Sequence, residues 1–366
     1  MSEYDTRLDA LRAVMADAGV DLAAIGPTAN MRYLTGHVSH PDERVCLLLV
    51  SAGSAGLVVP KLNADEWAAH TRLPLYTWED AEGPGDALSA ALQERLPVRR
   101  LAADGAMRAD FLLSVLATAD PEEIVLAERL AARLRVCKSP QEIASLERAA
   151  AQADRATRAA LEACRAGATE AQVAWAAESA FRLDGAEEVC FSMVGAGSNG
   201  AYPHHATSSA MLQTGEAVVI DLGASLAGYK SDITRMAFLG EPPPQFLKAY
   251  QAVLEANERA RAAVKPGVTA GAVDQAARHS LEETGYGQHF IHRTGHGLGL
   301  EGHEPPYITA GSEQVLEEGM VFSIEPGVYL PGEFGIRIED IVVVTSDGVR
   351  TLTGFPHELA MIVASE

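Results

Sequence analysis

Positive charge is what this sequence has least of: 29 Lys and Arg stand against 50 Asp and Glu, a formal net charge of −21. A nucleic-acid binder needs a basic face to neutralise phosphates, and an anionic bilayer would repel this surface, so neither nucleic acid nor membrane is expected as a partner. Cysteine is also scarce. Cys46, Cys137, Cys164 and Cys190 are widely scattered and form no CxxC pair, so they read as reduced, mostly buried thiols of a cytosolic protein. Long apolar runs are missing as well: no stretch approaches the ~18 residues of a membrane span, and CLLLV at 46–50 reads as a buried strand. The segment MSEYDTRLDALRAVM has acidic residues and helical apolar spacing where a secretory signal would have a basic end and a continuous apolar core. A cytoplasmic location is therefore expected.

What is present is ordinary globular composition, 48% hydrophobic and 22% charged, over 366 residues. At roughly 100–200 residues per domain this length suggests two domains, each able to bury a core. The first third alternates helical and strand patterns: Leu8, Leu11, Val14 and Met15 share a helical face, DLAAIG reads as a strand, and RVCLLLV with GLVVP reads as a strand pair around a Ser/Gly turn. This predicts a small α/β domain over residues 1–135. At Ser139-Pro140-Gln141-Glu142 a capping residue, a proline at the first helical position and a capping-box partner occur together, so a new domain is expected over 139–366. Its patterns predict helices from Pro140 to Ala166, Thr169 to Leu183, Pro244 to Val264 and Ala270 to Thr284. Strands are expected at EVCFSMVG, EAVVIDLGA, SDITRMAFLG, MVFSIEPGVYL and GIRIEDIVVVT and after Gly354. No repeat of solenoid period is evident, and strands grouped after paired helices argue an α+β layer over a curved antiparallel sheet.

Eight of the eleven histidines lie beyond residue 200, which makes the second domain the place to look for chemistry. Gly195-Ala-Gly197-Ser-Asn-Gly200 fits a dinucleotide fingerprint in spacing, but Pro203 and a polar run follow where a phosphate-binding helix must begin. A Gly-rich turn beside a site is the better reading. His289, His292 and His296 have helical spacing, yet Gly295 and Gly297 weaken a helix there, and as strand residues 289 and 292 face opposite ways. There is no HExxH and no GxSxG. Asp221 and Asp232, in VVIDLGASLAGYKSDITR, lie in successive strand patterns that antiparallel pairing can bring onto one face. Glu325 and Glu339 interrupt otherwise apolar strands, and His296 is flanked by glycines that allow close approach. Four carboxylates and an imidazole suit a pair of divalent ions, Mn, Co or Zn.

The stretches DLGASLAGYKSDITR, HRTGHGLGLEGHEPP, SIEPGVYL and GIRIED resemble, in order and in spacing, the five-ligand dinuclear site of the pita-bread metallopeptidases: methionine aminopeptidase, aminopeptidase P and prolidase. NMRYLTGH at 30–37 is similar to the N-terminal domain of prolidase and aminopeptidase P. The resemblance implies an α+β pita-bread catalytic domain behind a smaller α/β domain. It implies that Asp221 chelates one metal, Asp232 and Glu339 bridge two, and His296 and Glu325 complete the other shell. Glu325 would also move a proton for a metal-activated bridging hydroxide. His204 and His303 would match two substrate-facing catalytic histidines, with His205 as the alternative to His204. His292 would line the substrate pocket and Arg337 would orient a ligand carboxylate.

One departure bears on substrate. Prolidases often carry an Arg four residues after the HE-motif histidine to hold the dipeptide carboxylate, and this chain has Tyr307 there. Arg44, in HPDERV, is a possible substitute if a homodimer brings it to a partner's site. The implied activity is hydrolysis of a small peptide with proline in second position, foremost as a Xaa-Pro dipeptidase. The alternatives are aminopeptidase P activity on longer peptides and a metal-free binding protein on the same fold.

Overall fold

The computed structural model describes residues 2–363, and the chain divides into two compact units, Met1–Arg135 and Val136–Glu366. In the first, α1 (Glu3–Asp17) starts at a capping box between Ser2 and Asp5 and buries the four apolar residues its spacing selects. There follow β1 (Leu22–Ile25), α2 (Ala29–Thr35), β2 (Leu47–Ser51), β3 (Ala55–Pro60), α3 (Ala64–His70), β4 (Leu75–Trp78), α4 (Gly85–Gln93), β5 (Arg100–Ala103), α5 (Ala109–Ala119), β6 (Glu123–Leu126) and α6 (Glu128–Arg135). Among the described residues six strands form one sheet, ordered β4-β3-β2-β1-β5-β6. The expected pair β2–β3 is antiparallel. Leu47 to Val50 are buried without alternation because the sheet is covered on both faces.

The second unit opens with α7 (Pro140–Ala163), whose start carries the capping box between Ser139 and Glu142. It stops three residues short of the expected Ala166, because the backbone turns extended at Cys164 and Gly167 adopts a positive φ of 84°. Next come α8 (Glu170–Leu183), β7 (Glu188–Ala196), β8 (Ala217–Leu226), β9 (Tyr229–Lys230), β10 (Ile233–Leu239), α9 (Pro244–Ala263) and α10 (Ala270–Glu283). The last strands are β11 (Gly295–Gly297), β12 (Glu304–Ile308), β13 (Val321–Ile324), β14 (Gly327–Leu330), β15 (Phe334–Arg337), β16 (Asp340–Val344), β17 (Val349–Thr351) and β18 (Ala360–Ile362). One sheet runs β18-β10-β8-β7 with β9 on β8, another runs β12-β11-β13-β16-β17, and β14–β15 forms a ribbon. All these pairings are antiparallel except β10–β18. Helices α7 and α8 cover β8 and β10 through Ala153, Ala156, Val173, Phe181, Val218 and Ile220. Helices α9 and α10 cover the other sheet through Val253, Ala256, Val273, Leu281, Phe322 and Ile324.

Two expected long strands are each broken in two. MVFSIEPGVYL divides at Glu325-Pro326 into β13 and β14, and GIRIEDIVVVT divides at Ile338-Glu339 into β15 and β16. Pro326 has no N–H with which to continue a ladder, so the chain leaves that sheet for the β14–β15 ribbon there. The two helix pairs also repeat at an interval of about a hundred residues. The N–H of Gly167 donates to the Leu212 carbonyl and that of Leu212 to the Ala168 carbonyl; Gly267, Leu316 and Val268 repeat the arrangement beyond α9. Among the described residues no helix is long and apolar enough to cross a membrane.

Candidate metal centre

Register puts the first two carboxylates together. In the β8–β10 ladder Thr234 lies opposite Asp221 and Ile233 opposite Leu222, which sets Asp232, two residues before Thr234, on the same face as Asp221. The breaks in the two long strands supply the next pair: Glu325 follows β13, Glu339 precedes β16, and the ladder between those strands sets Ile324 opposite Asp340. His296, the middle residue of β11, completes the set. Its glycines serve the backbone: a Cβ on Gly295 would lie 1.8 Å from the Ser323 carbonyl oxygen, and one on Gly297 would lie 2.3 Å from that of Pro305.

Asp232, His296 and Glu339 are buried, and each offers a ligand atom within 4.8 Å of those of the other two. His296 Nδ1 donates to the Gly297 carbonyl at 3.2 Å, leaving the Nε2 lone pair 3.3 Å from Glu325 Oε1 and 3.7 Å from Asp232 Oδ2. Burial, then the neighbouring His303, lowers the His296 pKa to about 3, so the ring is a neutral ligand. Burial and the surrounding carboxylates hold Asp232 and Glu339 well above the ordinary carboxylate range, and burial pushes Glu325 to about 7. Glu339 Oε1 is buried with no hydrogen-bond partner. An orphaned buried carboxylate oxygen, acids opposing one another's ionisation and a presented imidazole lone pair together fit a divalent cation.

The supports are equally specific. Thr234 Oγ1 lies 3.1 Å from Asp221 Oδ1 and 2.7 Å from Glu339 Oε2. Buried Arg337 pairs with Asp221 and donates to Thr234 Oγ1 at 3.0 Å and to the Tyr329 hydroxyl at 2.9 Å. His292 Nδ1 donates to the Arg293 carbonyl at 2.7 Å, so Nε2 accepts from that Tyr329 hydroxyl at 2.9 Å. Ser323 Oγ donates to Glu325 Oε1 at 3.0 Å. On α9, Asn257 Nδ2 donates to the carbonyls of Ile324, 3.0 Å, and Ile338, 3.1 Å, each the residue before a predicted ligand.

These side chains line a cavity of about 450 Å³ together with Phe191, Pro203, His204, Arg293 and His303. His303 lies against His296, ring centroids 3.9 Å apart. Of the adjacent histidines, His204 lines the cavity, whereas His205 donates to fully buried Glu170 at 2.9 Å. Glu170 also accepts from Ala196 N, Asn199 Nδ2, Ser208 N and Ser208 Oγ, which fastens the loop that carries His204. The Gly195–Gly200 segment ends β7 and enters a 3₁₀ turn, Gly197–Ala201, so no phosphate-binding helix begins there. The structure thus brings together Asp221, Asp232, His296, Glu325, Glu339, His204, His303, His292 and Arg337. Arg44 belongs to the other unit, where its guanidinium is bonded to Asp80 and Asp42. Sequence reasoning passed over Thr234, Asn257, Arg293 and Tyr329. Asn257 carried a signal, being the polar residue on the apolar stripe Phe246, Ala249, Val253, Ala256 and Ala260.

Residues 144–346 match the model of metallopeptidase family M24, and residues 7–137 match the creatinase/prolidase N-terminal domain. The chain is 41% identical over 370 residues to the probable dipeptidase PepE of Mycobacterium tuberculosis, covering 99% of this chain and 97% of that protein. It is 34% identical over 354 residues to the Xaa-Pro dipeptidase of Pyrococcus furiosus, covering 96% and 99%. The crystal structure of a prolidase from Thermococcus sibiricus superposes with a TM-score of 0.94 at 33% identity, covering 99% of this chain and 100% of that one. With a pita-bread domain that follows a creatinase/prolidase-type domain in sequence, this chain belongs to metallopeptidase family M24 and is a peptidase.

Proposed function

We propose that the protein hydrolyses Xaa-Pro dipeptides with two divalent metal ions, Mn, Co or Zn. The observation that carries this is the convergence of Asp221, Asp232, His296, Glu325 and Glu339 on one cavity, with Glu339 Oε1 orphaned there. Asp221, Asp232 and Glu339 would hold one ion, and Asp232, Glu339, His296 and Glu325 the other. Such ions supply water acidified enough to act as a nucleophile near neutral pH. Glu325 takes a proton from the attacking water and returns it to the leaving nitrogen. His204 and His303, exposed toward the cavity, hold the substrate and the developing oxyanion. Arg337 holds the Asp221 carboxylate in place, and His292 walls the substrate space. A cavity of about 450 Å³ suits a small peptide. The names of the relatives, dipeptidase and Xaa-Pro dipeptidase, support the substrate class. A cytoplasmic homodimer completes the reading.

The test is a turnover panel of Xaa-Pro dipeptides and tripeptides with added Mn, Co or Zn. Dipeptides are expected to be preferred, with Glu325→Gln folded but inactive. Preference for tripeptides would point to aminopeptidase P activity, and retained activity in Glu325→Gln would remove that residue from proton transfer.

A further inference from the structure

Resting on the dipeptidase reading, we infer that Arg293 binds the free α-carboxylate of the substrate and that Tyr307 holds it in place. Two arginines line the metal cavity, Arg293 and Arg337. The fork of Arg337 is occupied by Asp221, Thr234, Tyr329 and the Pro203 carbonyl. Arg293 is different: among the described residues no carboxylate lies within ion-pair distance of it, and it is half-buried at the wall of a cavity built from acids. Its guanidinium carbon sits 4.8 Å from the centroid of the Tyr307 ring. Stacking on a ring leaves the planar N–H edge free to bind a carboxylate through two parallel hydrogen bonds.

The strand register explains the pairing. Tyr307 lies opposite His296 in the β11–β12 ladder, and the N–H of Thr294, next to Arg293, donates to the Ile308 carbonyl. The position at which prolidases often present an arginine thus carries an aromatic ring, and the cation comes from the segment that leads into β11. A peptide with a free C-terminus right after proline would place that carboxylate on Arg293. A longer peptide offers no charge there.

The test uses the full chain loaded with Mn²⁺ and compares Xaa-Pro dipeptides with their C-terminal amides, and with dipeptides lacking proline. Wild type is expected to favour the acid, and Arg293→Met to raise KM for the acid by about tenfold or more while kcat/KM for the amide stays within about threefold. Arg293→Lys keeps part of the discrimination. Calorimetric titration with proline against prolinamide reads the same contact without turnover: Arg293→Met weakens proline binding and leaves prolinamide unchanged. An acid-to-amide ratio equal to wild type in Arg293→Met, or an equal loss on both substrates, would overturn the inference. If non-proline dipeptides are cleaved equally well while proline titration still depends on Arg293, the Xaa-Pro reading fails and the clamp stands.

Discussion

Asn257 ties a helix to both strand breaks that carry the proposed ligands Glu325 and Glu339, so its removal should be felt in metal binding. Its Nδ2 donates to the carbonyls of Ile324 and Ile338, and the side chain is fully buried. Asn257→Leu keeps the branched outline of the side chain and deletes both bonds. Two buried carbonyls then lack that donor, at about 1–3 kcal/mol each. The amide oxygen of Asn257 has no partner of its own, and losing it offsets part of the cost. The expected destabilisation is about 3 kcal/mol, which for a unit of this size lowers Tm by about 6–12 °C. Loosened ligand backbones should also weaken Mn²⁺ binding by roughly 10–100-fold, as for other groups that orient metal ligands. Calorimetric unfolding of the metal-free protein and Mn²⁺ titration check the two effects. A variant with wild-type Tm and wild-type metal affinity would refute the assignment.

Three further outcomes follow from buried charges. Glu170→Gln is isosteric but turns one oxygen into a donor facing at least two N–H groups, so it should cost about 2–5 kcal/mol in denaturant unfolding. Although burial opposes its charge, those donors hold Glu170 below the usual glutamate range, so the wild-type advantage should start to fall at the usual glutamate pKa and be lost as pH drops further, through the lower folded-state value. Lys138 Nζ pairs with Glu304 Oε1 at 2.9 Å, both side chains buried; Lys138→Met should cost about 3–5 kcal/mol, and adding Glu304→Gln should recover part of it, as a double-mutant cycle would show. Burial raises Asp104 from 3.8 to about 6, so the folded state binds more protons than the unfolded state between those values and loses stability as pH rises through them. Asp104→Asn should flatten that fall, and an unchanged pH profile would contradict it.

The convergence of Asp221, Asp232, His296, Glu325 and Glu339 on one cavity was legible because these residues are out of place locally. Glu325 and Glu339 stand in runs that are otherwise strand-like and apolar, and a carboxylate there has little reason to exist except to meet a cation. The same local rule misread the strands around them. A continuous apolar run gives no sign that it switches sheets, and Pro326 alone hinted at the break. His204 and His205 could not be separated by pattern, since the choice depends on Glu170, thirty-five positions away from His205 in sequence. Arg293 was unreadable for a similar reason: its meaning comes from the Tyr307 ring across a ladder. The hundred-residue duplication escaped a search for solenoid periods because it lies in backbone bonds around Gly167 and Gly267 and in helix order.

Metal stoichiometry tests the central claim most directly. Protein stripped with chelator and titrated with Mn²⁺, Co²⁺ or Zn²⁺ should take up about two ions per chain, offsetting roughly four carboxylate charges, and Xaa-Pro dipeptide turnover should return in step with uptake. Asp232→Ala should lose both uptake and turnover. Peptide hydrolysis by the stripped protein, or a wild type that takes up none of the three metals, would contradict the account.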